Sequence, residues 1–541
     1  MIKTINLNGS EMEFTELGGD NTEIINNSNG IVYASKSPSI KVGGDDVIAI
    51  PAGAIDGLYG THGTVYLLGT GSVELRGIDH KITESRSQSV ESSVGDIQEY
   101  IDSNDAAILD AAKNFADSIS AELAGYIGYT DSNIYGLEAD FENNKFTRLA
   151  GAVGKTGGSD FDCVNAYGGR RRCNLSNNGE VLAYYGDDNF KADGTNGQVM
   201  VEQPKFYYRV VPLKTEKIDG ADGYHLRKAR YYISDTPKAG FKVHPAFVRN
   251  SVEVDRIYLS AFEGCIYDTS AESYLLEDEQ VADFDNDKLS SIAGAKPCSG
   301  LTQKLSRTNT RKLAHNRGDG WEQLTIQALS ATQMLFIVEY ASFNSQVKLG
   351  YGATLKSDDG SNMAENTGAT VTLGNSTGGN TSFNGVHIVS YRGEENPWGN
   401  IGKWIDGINS LNPSTWSTIQ NTGNLYGTIF MADNNFDDNG SGSQYQNTGI
   451  PSVYGSGYIS AFGYSKLSDW LFIPTEYDGN SGFPIGDTFW NKNNVGRCLF
   501  TNSIWNENSR SGIFSLGFNY MPSSNARFIG ARLCFIPVGK S

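Results

Sequence analysis

Charge is scarce in this chain. Asp, Glu, Lys and Arg make up 19% of its 541 residues, and the formal net charge is -19. A shortage of Lys and Arg on an acidic background excludes nucleic-acid binding as the main task, because phosphate contacts need clustered cations. The one dense basic run is Arg170, Arg171, Arg172, and it reads as a solvated turn or a set of ion pairs. Cysteine is sparse at 6 residues, too few for a disulfide scaffold at this length. Cys163, Cys173, Cys265, Cys298, Cys498 and Cys534 show no zinc-type spacing and read as small buried hydrophobes. No apolar run approaches the roughly 18 residues of a membrane-spanning helix, so no membrane insertion is expected. The opening MIKTINLNGSEMEF lacks the charged-then-apolar order of a secretion signal, and synthesis in a cytosol is expected. Proline is rare at 14 residues.

Glycine (63), Tyr (28) and Phe (25) are abundant, which points to a turn-rich β protein with long loops. Residues 1–82 hold short apolar or alternating runs, Ile2 to Leu7, Ile31 to Ala34, Val47 to Ile50 and Thr64 to Leu68. Gly, Asn and Asp clusters separate them. The stretch GTHGTVYLLGTGSVELRG predicts a hairpin turning at residues 69–71. A β-sandwich used for anchoring is the expectation.

Residues 83–130 change character: Gly becomes rare, and apolar residues recur at steps of four and three. Val90, Val94, Ile97, Ile101, Ile108 and Phe115 form a heptad seam, with Asn104 in the one skipped position. Isoleucine at both seam positions favours three or more strands, and a seam Asn fixes register. This predicts a trimeric α-helical coiled coil about 60 Å long. Past Phe115 the spacing Ile119, Leu123, Tyr126 breaks the seven-residue phase.

Residues 131–541 are dense in Trp, Tyr, Gly and Asn. Trp321 to Tyr340 reads as one helix followed by a buried strand, with a short helical piece expected from Asp287 to Ile292. No repeat of fixed period is present.

Within this third segment YGLEADFENNKFTRLAGAVG (135–154), GQVMVEQPKFYYR (197–209), FKVHPAFVRN (241–250) and EVDRIYLSAFEG (253–264) stand in sequence order. SYRGEENPWGNIGKWIDGIN (390–409) and RFIGARLCFIP (527–537) follow. Together they resemble phage tail proteins that carry a C-type-lectin-like head, the fold shared with formylglycine-generating enzymes. Lys403 departs from the family's Glu-Asn-x-Trp-Gly-Asn-x-x-Glu-Trp element, which has an acid there. The stretch GRCLFTNSIWNENSRSGIFSLGFNYMPSSNARFIGARL (496–533) resembles the variable region of proteins diversified by retroelements. By that resemblance Trp505, Asn506, Asn508, Ser509, Arg510, Asn519, Tyr520, Ser523, Ser524, Asn525 and Arg527 form a receptor-binding display. Phe500, Ile513, Phe514, Leu516 and Ile529 are its scaffold. Apart from any family, Tyr and Trp supply contact area with few rotors, and Asn, Ser and Gly supply adaptable hydrogen bonds.

The implied fold is multidomain: N-terminal β-sandwich (1–82), trimeric α-helical coiled coil (83–130) and C-terminal α+β C-type-lectin-like domain (131–541). The implied function is that of a non-enzymatic adhesin of the virion tail, made in the host cytoplasm. It is expected to be a homotrimer, held to a tail or baseplate protein through its N-terminal domain. Its partner on the cell is a host surface polysaccharide or protein.

The alternatives are a tail-associated polysaccharide depolymerase and a structural baseplate component. A depolymerase needs two carboxylates about 5 to 10 Å apart, and Glu253, Asp255, Glu339 and Asp406 are candidates that nothing in the sequence pairs. Cys498 and Cys534 stand in separate elements, unlike the closely spaced cysteines of formylglycine-generating enzymes. His244 precedes Pro245 and reads as structural. DFDND (283–287) resembles the start of a calcium loop, but Lys288 occupies the place of the turn glycine and Gly294 that of the closing Glu. Asp433, Asn434, Asn435, Asp437 and Asp438 form a second oxygen-rich loop without defined spacing. No cofactor, no metal and no catalytic residue is assigned.

Overall fold

A computed structural model describes residues 2–82 apart from 17–20, 37–39, 60–63 and 77–79. It also describes residues 123–537 apart from 279–280, 383, 412–425, 441 and 492–495, together with the single positions 111, 113 and 119. The chain divides into two compact units, Met1–Ala111 and Ala112–Ser541.

The first unit is built of two antiparallel sheets. One runs in the order Ile2–Asn8, Thr70–Arg76, Asn21–Asn26, Ile55–Tyr59. The other runs Val47–Ile50, Val32–Ser35, Thr64–Leu68, Met12–Glu16, His80–Ile82. Period-two alternation sends Ile5 and Leu7, Val73 and Leu75, Val65 and Leu67 into one core. The predicted hairpin at 69–71 does not form. Thr64–Leu68 and Thr70–Arg76 belong to different sheets, so Gly69 is a crossing point between layers. Buried Asn26 pins the unit: its amide donates to Gly30 O and Ile50 O at 2.8 Å each, and its oxygen accepts from Ser28 N at 2.9 Å.

The second unit is also dominated by strands. Among the described residues helices are few and short, and the longest, Ile326–Tyr340, has 15 residues. This corrects the expected fold class. Among the described residues no long coiled-coil helix is seen, and the head is mostly β. The seam residues Val90, Val94, Ile97, Ile101, Asn104, Ile108 and Phe115 lie outside the described residues. The expected three-fold assembly rests on that seam. Of the 83–130 stretch, residues 123–127 are helical, and this piece lies against its own chain. Arg230 caps its last carbonyls, donating to Gly125 O at 3.2 Å and Tyr126 O at 2.6 Å.

Three large sheets make up most of the second unit. The first contains Tyr135–Asp140 beside the long hairpin Tyr207–Lys217 and Tyr224–Ser234. The second contains Arg171–Leu175, Gln198–Pro204, Arg256–Ser260, Leu533–Phe535 and Trp321–Gln323. The third is centred on Gly402–Leu411, Arg497–Thr501 and Leu516–Tyr520. The helix Ile326–Tyr340 packs against Tyr135–Asp140, Tyr224–Ser234 and Gly402–Leu411. Every residue from Ile326 to Glu339 is buried, and the polar ones among them, such as Gln327, Ser330 and Thr332, are hydrogen-bonded inside. Thr325 caps its start by accepting from Ala328 N at 3.3 Å. The predicted order of helix then strand is reversed here: Trp321–Gln323 is the strand, and it pairs with Leu533–Phe535 more than two hundred positions away. The helical piece expected at Asp287 to Ile292 is the strand Lys288–Ser291.

Candidate functional site

The Glu-Asn-Pro-Trp-Gly-Asn stretch (395–400) is an interior knot. Glu394 receives Thr332 Oγ1 at 3.0 Å and pairs with Arg170, and Arg532 lies 3.6 Å away. Glu395 accepts from Gly368 N, Thr370 N and the Thr370 hydroxyl, each at 2.7 Å. Asn396 and Asn400 both donate to Glu263 Oε2, at 3.1 and 2.5 Å. Asn396 (φ 47°) and Asn400 (φ 65°) are left-handed, a conformation asparagine tolerates better than most residues. Lys403 reaches Glu263, an acid from another element, at 3.0 Å in complete burial. Burial pushes the Lys403 ammonium down to about 8, with Glu263 pulling the other way.

Of the candidate carboxylates, Glu339 and Asp406 are buried and Glu253 and Asp255 are exposed. Glu339 is buried under Arg392 Nε (2.8 Å), Arg392 Nη2 (2.7 Å) and Tyr391 Oη (2.8 Å). Asp406 is buried with two bonds from Arg311, at 2.5 and 2.8 Å. Burial raises its carboxyl, but the Arg311 charge and hydrogen bonds outweigh this and hold it low. Glu253 and Asp255 share Lys205, at 3.6 and 2.9 Å. Cys498 and Cys534 lie in different sheets, and burial pushes their thiols up to about 11 and about 12, so both stay protonated near neutral pH. Five cysteines are buried and Cys163 is exposed. His244 is buried among Phe206, Tyr208, Phe247 and Trp470. Its Nδ1 accepts from Ala246 N at 3.2 Å, and burial lowers the ring to about 3.

Among the described residues no group of three or more His, Cys, Asp or Glu is arranged to hold a metal. In DFDND the carboxylates close turns: Asp287 accepts from Thr269 N at 2.9 Å and Asp283 N at 2.8 Å. Asp438 pairs with Arg311 at 3.0 Å and Asp437 accepts from Gly440 N. Arg170 and Arg172 of the basic run are buried, and only Arg171 is exposed.

The knot carries the C-terminal stretch. Gly402–Leu411 pairs with Arg497–Thr501 on one edge and runs parallel to Ile529–Gly530 at its start. Phe500, Ile513, Phe514, Leu516 and Ile529 are all buried. Between these fixed points the chain turns outward twice.

The first turn carries Asn506, Asn508, Ser509 and Arg510. Asn508 and Arg510 are exposed, and Asn506 and Ser509 are half-buried. It is braced by residues 345–356: Asn508 N donates to Thr354 O at 2.9 Å, Lys356 N to Trp505 O at 2.8 Å, and Gln346 Nε2 to Asn508 O at 2.8 Å. That brace presents Val347 (72% exposed), Tyr351 (50%) and Leu355 (63%). No local signal in the sequence marked these three; the fold brings them beside Asn508.

The second turn carries Ser523 and Asn525, both exposed, and Ser524, half-buried. Asn525 Nδ2 donates to Gly300 O at 3.1 Å. Arg527 is half-buried, bound to Asp358 at 2.5 Å and Ser361 O at 2.7 Å. Asn519 and Tyr520 are half-buried, and the Tyr520 ring packs edge-on against Phe500 at 5.3 Å. Trp505 does not belong to a display. It is 1% exposed, packed with Ile401 and Ala364 and covered by Arg527 at 5.6 Å. It anchors both turns from beneath.

Compared with known proteins, the chain matches no family model and no curated sequence.

Proposed function

We propose that this chain is a non-enzymatic adhesin of a phage tail, which binds a polysaccharide or protein on the bacterial surface. The observation that carries the reading is the division within residues 496–533. Phe500, Ile513, Phe514, Leu516 and Ile529 are buried, while Asn508, Arg510, Ser523 and Asn525 stand in two exposed turns braced from below. Polar, adaptable loops on a rigid frame suit recognition. Val347, Tyr351 and Leu355 add apolar and aromatic area beside the first turn, the kind of mixed surface that marks an interaction site. The burial of Glu339, Asp406 and the Cys498 and Cys534 thiols, each held in fixed contacts, supports binding over hydrolysis at those positions. The first unit attaches to a tail or baseplate protein.

The test is competition. Purified full-length chain, added in excess to susceptible cells, is expected to reduce phage adsorption in proportion to its occupancy of the cell surface. Adsorption unchanged at saturating protein, or release of sugar from the envelope by the purified chain, contradicts the reading.

A further inference from the structure

A cleft in the head shares no residue with the C-terminal turns. Lys217 is registered opposite Tyr224 in the long hairpin, and Tyr224 opposite Tyr464 of the strand Ala461–Tyr464. Residues directly opposite leave the same face of a sheet, so these three side chains form a row across three strands. Tyr224 is 44% exposed, and Lys217 Nζ lies 5.4 Å from its ring centre.

Facing the row, Tyr426 opens the strand Tyr426–Met431. Its hydroxyl donates to Asp219 O at 2.5 Å, which ties the hairpin turn to the third sheet. Between them is a cleft of about 740 Å³, within the range of small-ligand sites. Its shape depends on glycines. A Cβ at Gly223 would come within 2.4 Å of the Pro451 ring, and one at Gly220 within 3.2 Å of the Tyr426 ring. Thr215, Thr428 and Asn447 line it with hydrogen-bonding groups.

We propose that this cleft binds a short neutral oligosaccharide. A pyranose has one face of C–H groups and an equatorial belt of hydroxyls. Tyrosine rings match the face, and amide, hydroxyl and ammonium groups match the belt. Neighbouring strands lie about 4.8 Å apart, close to the length of one sugar ring. Tyr224 and Tyr464 therefore meet consecutive residues of one glycan chain.

The experiment uses the full chain and two probes, chitotriose and maltotriose, followed by saturation-transfer NMR and calorimetry. At least one probe is expected to bind saturably. Tyr224→Ala, at an exposed position, should weaken that binding at least tenfold without shifting the melting temperature. Tyr224→Phe should keep it, because stacking survives loss of the hydroxyl, and Tyr351→Ala on the C-terminal surface should leave it unchanged. Absence of saturable binding by both probes overturns the proposal. So does binding that persists in Tyr224→Ala, or binding lost equally in Tyr224→Phe.

Discussion

Asn396 and Asn400 in the buried knot and Asn508 and Asn525 in the outer turns are the same residue type with opposite duties. The first pair is buried, with both amides spent on Glu263. The second pair is exposed. Arg532 and Arg510 contrast in the same way: Arg532 is buried with Glu394 and the Glu395 carbonyl, and Arg510 is exposed with Glu507 3.7 Å away. The difference teaches that the polar richness of this chain serves two ends. Inside, Asn396, Asn400 and Arg532 are held by fixed partners, and their removal costs stability. Outside, polar groups are available to a ligand and their removal costs little.

The comparison breaks most easily at Lys403 and Glu263. Lys403→Met leaves Glu263 buried without its cation, and a loss of about 3–5 kcal/mol in denaturant unfolding is expected. Combining it with Glu263→Gln should cost less than the sum of the two single changes, by about 1–3 kcal/mol, because the pair acts as a unit. Strict additivity would show that Lys403 and Glu263 are not coupled. Trp505→Ala tests the boundary between the regions. As an interior anchor it should cost about 3–5 kcal/mol, whereas a displayed tryptophan would cost a few tenths.

Acid sharpens the same contrast. His244 is neutral in the fold down to about 3, while in the unfolded chain it takes up a proton near 6.5. Between those values the unfolded state binds more protons, so stability falls as pH falls, by about 1.4 kcal/mol per pH unit. The His244 contribution is intact above pH 6.5. His244→Asn keeps an acceptor for Ala246 N and should flatten that part of the pH profile. An unchanged slope would assign acid sensitivity to other groups. The smallest effect is expected outside: Asn508→Ala and Arg510→Ala should each shift stability by no more than about 0.5 kcal/mol.

Local pattern made short strands of the first unit legible, where apolar and polar residues alternate. The scaffold of the C-terminal stretch came from the resemblance: Phe500, Ile513, Phe514, Leu516 and Ile529 are all buried. What local pattern could not carry was partner choice across long separations. Nothing near Gly69 says that its two strands enter different sheets. Nothing near Trp321 says that Leu533–Phe535 will pair with it. The heptad steps at Val90 to Phe115 are a helical period, yet period alone does not supply a partner helix. Trp505 was read as a contact residue because tryptophan suits both interfaces and cores, and only the packing of Ile401, Ala364 and Arg527 around it decides between them. Tyr351 and Leu355 join the surface because their neighbours Thr354 and Lys356 hydrogen-bond to residues about 150 positions later.

The most direct measurement is cell binding by the full-length triple variant Tyr351→Ala, Asn508→Ala, Arg510→Ala, read beside its melting temperature. Binding to susceptible bacteria should fall at least tenfold while the melting temperature stays within a few degrees of the parent chain. Parent-level binding by a folded triple variant would contradict the assignment of these turns as the receptor-binding surface.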